Sequence, residues 1–214
     1  MVITPRVPRE IHLENAIGCV FTSEKLVKNE VPAPKPPAFA MQAPGKLLHM
    51  DEHQALAVWD HLVLVIWRGQ VDANAVKRLE TAGIDVLRQH PRGAGVMGVI
   101  ESTAVPPSSE MRTLSAQSND RLAKLGLVGI AGVLSHKGFS GSVMRGVITG
   151  LTLLSRSKYP FKVFENHEAG AAWLSKRLAA GGEQMGALEC ANVVGHYRRK
   201  YLEYYQRNHA AACA

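Results

Sequence analysis

Ser135-His136-Lys137-Gly138-Phe139-Ser140-Gly141 carries the densest set of reactive and ligand-holding side chains in the sequence. It follows the apolar run Val128–Leu134 and opens a helical segment. A turn of that kind at the carboxyl end of a parallel strand presents free helix amides, which bind anions. Ser135, Lys137, Ser140 and Gly141 are therefore the candidate anion site, for a phosphate or a nucleotide. Gly-Phe-Ser-Gly is not a Walker loop, because Lys137 stands before it, and a tight turn with Ser140 as helix cap is the plainer expectation. Ser135-His136 pairs a nucleophile with a base, but hydrolysis also needs an orienting acid. No acid converges on them in the sequence, so the chain is expected to be no enzyme, with no catalytic residue and no cofactor.

Three further groups have chemical potential. Ser102, Thr103, Ser108 and Ser109 follow the apolar run Val96–Ile100 and offer hydroxyls, of which Ser108 or Ser109 suits a cap for the next helix. His49, Asp51 and His53 alternate, so on one strand they would share a face and could bind a metal. An exposed polar strand start explains them as well, and no metal site is expected. Tyr197, Tyr201 and Tyr204 recur at helical spacing with Arg198, the composition enriched at protein interfaces. They are candidates for partner binding, self-association or docking back on the same chain; aromatic residues among arginines also suit single-stranded nucleic acid, which is not expected here.

The elements that must position these groups follow from hydrophobic pattern. Gln54–Trp59 and Leu62–Arg68 are strands joined by Asp60-His61, and a two-residue connection dictates an antiparallel hairpin. The unbroken apolarity of Leu62–Ile66 implies cover on both faces. Asp72 caps a helix from Ala73 to about Gln89, and Ser108 or Ser109 caps another reaching about Leu125. Strands over Val96–Glu101, Val128–Leu134 and Phe161–Phe164 alternate with those helices, a third helix over Phe139–Ser155 and a fourth over Glu168–Leu178. The order is that of an α/β fold: a mostly parallel sheet of four to five strands, begun by a hairpin and flanked by helices. After Gly181-Gly182 an amphipathic helix is predicted over residues 183–207.

Three segments result: a Pro-rich N-terminal arm (1–46), disordered in part or docking, an α/β domain (47–179), and the glycine linker with its helix (180–214). The arm holds Val31-Pro32-Ala33-Pro34-Lys35-Pro36-Pro37, which favours an extended path. The net charge of +7 is scattered over the ends and gives no nucleic-acid stripe. Three cysteines without close spacing argue against a disulfide framework, and no run is long and apolar enough for a membrane span. A cytoplasmic protein without membrane contact is expected.

The segment Val65-Ile66-Trp67-Arg68-Gly69 with the helix after Asp72, the run Val143–Leu154, and Tyr159–Phe164 leading into Glu168–Leu174 resemble the STAS domain. The nearer likeness is to the divergent branch related to the stage II sporulation anti-sigma factor antagonist, over roughly residues 50–178. The resemblance implies a non-enzymatic bacterial regulatory or scaffolding domain that docks an anti-sigma or switch-type protein partner. It further implies that phosphorylation after the third strand would end that docking. The Asp-Ser-Ser-Gly type of signature is absent there, and Glu101-Ser102-Thr103 with Ser108-Ser109 occupies its place.

Overall fold

The computed structural model describes residues 45–134, 146 and 159–210. Within them a six-stranded sheet runs in the order β1 (Lys46–Met50), β2 (Gln54–Trp59), β3 (Leu62–Trp67), β4 (Ala94–Ile100), β5 (Leu127–Leu134) and β6 (Phe161–Phe164). Its helices are α1 (Ala73–Gln89), α2 (Ser109–Lys124), α3 (His167–Ala180) and α4 (Ala187–Ala210). The pairs β1–β2 and β2–β3 are antiparallel, and β3 to β6 are parallel. The α/β class and the opening hairpin agree with the sequence pattern. The strand count does not: Lys46–Met50 adds an antiparallel edge that makes six. Apart from Gly146, which is helical and exposed, the predicted helix over Phe139–Ser155 lies outside the described residues, as do the predicted Ser135–Gly141 turn and most of the N-terminal arm.

The hairpin closes through Asp60-His61, with Trp59 opposite Leu62 and Gln54 opposite Trp67. Asp60 takes φ 49°, a left-handed conformation that aspartate tolerates and β-branched residues avoid. From that turn β3 alternates strictly. Leu62, Leu64 and Ile66 join the core shared with α3 and α4, while Val63 and Val65 join the one shared with α1 and α2. Its sequence shows no alternation because both faces are covered.

The helix starts follow their caps. The Asp72 carboxylate accepts the Ala75 amide at 2.6 Å, the Ser108 hydroxyl accepts that of Met111 at 3.2 Å, and the Asn166 side chain accepts that of Ala169 at 2.8 Å. Gly182, at φ 82°, ends α3, and α4 begins at Ala187, four residues later than its periodicity predicts. The spacing of Cys190, Val194, Tyr197 and Tyr201 puts them on one stripe of α4, and that stripe lies in the core formed with Leu62, Leu64 and Ile66. Among the described residues, no helix is long and apolar enough to cross a membrane.

Candidate functional site

The β1–β2 turn, the end of β3, the loop 101–107 and one face of α4 meet at the carboxyl end of β3 and β4. The chain turns sharply at residues 51–53. Asp51 Oδ1 accepts the amides of His53 and Gln54, both at 2.8 Å, while Oδ2 pairs with His49 Nε2 at 2.7 Å. Burial raises the Asp51 carboxyl pKa, but the hydrogen bonds from His49 and the two amides outweigh it and leave a net lowering. His49, Asp51 and His53 therefore do not share a strand face, because a hydrogen-bonded turn separates them. The His53 carbonyl accepts the amides of Arg68 and Gly69, at 2.8 and 3.1 Å. A side chain at Gly69 would collide with His53, so the close approach demands glycine.

Loop 101–107 leaves β4 and is tied down on three sides. The Glu101 amide donates to the Trp67 carbonyl at 2.9 Å, and Val105 donates to Gly69 at 3.2 Å. Arg112 of α2 donates to the Pro107 carbonyl at 3.1 Å. Arg198 of α4 grips Glu101 with two hydrogen bonds of 2.8 and 3.1 Å, a fork-to-fork pair mostly shielded from water. Beside it the Arg68 guanidinium lies 3.9 Å from the centre of the Tyr205 ring. Arg68 Nε is buried without a hydrogen-bond partner.

The phosphorylation candidates are all exposed on this surface. Ser102 sits at the turn, and Thr103 donates its hydroxyl to the Arg68 carbonyl at 2.8 Å. Ser108 caps α2, and the Ser109 carbonyl accepts from the Thr113 hydroxyl at 3.0 Å. Under the loop is an apolar hollow of about 130 Å³. Ile100 and Phe161 contribute from the strands, Leu79 and Asn119 from the helices and Val105 from the loop. Its floor is open because two glycines, Gly98 and Gly132, stand opposite each other in β4 and β5. The anion candidates Ser135, Lys137, Ser140 and Gly141 lie outside the described residues, one step beyond Leu134.

The tyrosines are placed differently from a partner surface. Tyr197 and Tyr201 are 2 % and 1 % exposed, in the core against the sheet. Tyr204 is half-buried beside Tyr201, their rings stacked at 6.5 Å, and Arg198 is engaged by Glu101. The apolar stripe of α4 is used within the chain, so the partner-binding residues named from the sequence are internal contacts in this structure. Burial raises the hydroxyl pKa of both Tyr197 and Tyr201.

At the opposite end of the sheet Asp60, His61 and His90 each bring one ligand-type atom within 4.8 Å of the others. The sequence conceals this group, because His61 and His90 are 29 positions apart and neither sits in a spaced motif. Comparison with known proteins returned no matching family model, no matching curated protein and no matching solved structure.

Proposed function

We propose that the chain is a non-enzymatic STAS-like binding module of the bacterial regulatory kind, which docks a protein partner with loop 101–107 and the start of α2. One observation carries this reading: Ser102, Thr103, Val105 and Pro106 project from a loop whose base is held by Glu101–Arg198 and by β3. A rigid base under exposed polar and apolar side chains lowers the ordering cost of binding. The order of elements from β2 to α3 agrees with an anti-sigma-antagonist-like domain. A phosphate on Ser108 or Ser109 would sit at the amino end of α2, where the helix favours negative charge, and would change what a partner meets there.

Site-specific photo-crosslinking in the native cell tests the reading. A crosslinker at Val105 should capture a discrete protein, and one at Asp85 of α1 should not. Equal capture at both positions, or only the chain itself at Val105, would exclude heterologous docking through this loop. A second reading, a small-ligand module using residues 135–141, draws on the hollow, whose lining residues Ile100 and Phe161 pack with Leu134. It predicts thermal stabilisation by a small anion or nucleotide, weakened by Lys137→Ala or Ser140→Ala.

A further inference from the structure

We propose that Asp60, His61 and His90 form a binding site for a divalent cation of the zinc type, at the end of the sheet away from loop 101–107. The ligands come from two positions of the chain that only the fold unites. Asp60-His61 is the β2–β3 turn, and His90 is the C-cap of α1. Glu183, just beyond the Gly181-Gly182 end of α3, reaches the same place.

The strongest observation is the setting of His61, which is 6 % exposed. Its Nδ1 lies 3.2 Å from the Gly93 carbonyl, a contact that requires the proton on that nitrogen. Metal-bound histidines are oriented in this way, by a backbone carbonyl behind the ring. Nε2 then faces two carboxylate oxygens, Asp60 Oδ1 and Glu183 Oε2, each at 3.5 Å. That separation is too long for a good hydrogen bond. It matches two ligands of one tetrahedral ion: with metal–ligand bonds of about 2.1 Å, neighbouring donors stand about 3.4 Å apart. The His90 ring packs on that of His61 with centres 4.0 Å apart, and a ring nitrogen of His90 lies within 4.8 Å of the ligand atoms of Asp60 and His61.

Donor chemistry selects the class of ion. Two imidazoles and a carboxylate suit zinc and its neighbours in the first transition row, whereas calcium and magnesium prefer all-oxygen sites. Asp60 is 38 % exposed in its side chain, which gives the ion a way in from solvent. Glu183 is held by Arg92 through bonds of 2.7 and 3.2 Å and lies beside His61, while a water would complete the coordination of an ion held by the three primary ligands. An ion here would staple the hairpin turn to the end of α1 and, through Glu183, to the segment that launches α4.

The full-length chain, stripped with a chelator, is titrated with zinc by calorimetry and with cobalt by visible absorption. The proposal expects one tight site and the intense cobalt bands of a four- or five-coordinate ion. Asp60→Asn keeps the size and the tolerance of the turn conformation, and His90→Gln alters only a partly exposed side chain. Each should weaken binding by at least about tenfold, since even outer-shell partners cost 10–100-fold. His49→Gln with His53→Gln should leave that site intact. Absence of stoichiometric binding, or unchanged affinity in folded Asp60→Asn and His90→Gln proteins, would overturn the proposal. So would loss of the site in the His49/His53 variant alone.

Discussion

Replacing Tyr201 by phenylalanine should make the protein more stable, although it removes a polar group from a helix rich in tyrosine. The side chain is 1 % exposed, and its hydroxyl is buried without a hydrogen-bond partner. A buried hydroxyl left unpaired costs about 1–3 kcal/mol. Phenylalanine keeps the ring against the sheet and its stacking on Tyr204. The expected gain is therefore about 1 kcal/mol or more. For a chain of this length that corresponds to a rise in Tm of about 2–4 °C. Tyr201→Ala removes the ring as well and should cost about 3–5 kcal/mol. Urea unfolding followed by circular dichroism, compared at equal m value, separates the two effects. A loss of 1 kcal/mol or more in Tyr201→Phe would show that the hydroxyl has a partner. A negligible cost in Tyr201→Ala would show that α4 does not seat this ring on the sheet. Either result refutes the reasoning.

Two glycines on opposite faces of the sheet should respond oppositely to alanine. At Gly129 the new methyl would meet the Trp173 ring at 2.7 Å, and overpacking of that kind costs about 1–3 kcal/mol. At Gly98 it meets only Val65 Cγ1 at 3.8 Å, so Gly98→Ala should be neutral or stabilising by about 0.4–1 kcal/mol while shrinking the hollow. Thermal melts of the two variants check the contrast; the same sign in both would contradict it. Burial pushes the Cys190 thiol up to about 12, so it should resist disulfide reagents at neutral pH until the chain unfolds. A raised folded value stabilises fully below the ordinary thiol range, and the benefit fades as pH climbs toward 12. Cys190→Ala should flatten that alkaline loss in urea titrations; rapid labelling of native Cys190, in a chain with Cys19 and Cys213 replaced by serine, would contradict its burial.

Local signals located most of the framework. The run Leu62–Ile66 is apolar at every position because cover on both faces removes the need to alternate, and a two-residue turn before it allows only a hairpin. Asp72 and the Ser108-Ser109 pair mark their helices because a side-chain oxygen satisfies the free amides of a first turn. Lys46–Met50 was less legible, since an edge strand has half-exposed positions and only its partner gives it direction. His49, Asp51 and His53 have the spacing of one strand face, but the Asp51 carboxylate gathers the amides of a turn. Spacing does not tell a side chain that shares a face from one that folds the backbone beneath it.

The same distinction holds for function. Sequence alone determined the α/β class, the hairpin start, the Asp72 cap and the presence of hydroxyls after β4, because each depends on residues within a few positions of one another; that Ser108 rather than Ser109 caps α2, and Asn166 α3, came from the structure. Only tertiary structure decided that Tyr197 and Tyr201 face inward, that Arg198 reaches Glu101, and that His90 and Glu183 converge on the Asp60-His61 turn. Those pairings join residues 29 to 122 positions apart, and no periodicity encodes them. They exist because burying both faces of β3 brings its two ends up against helices from distant parts of the chain.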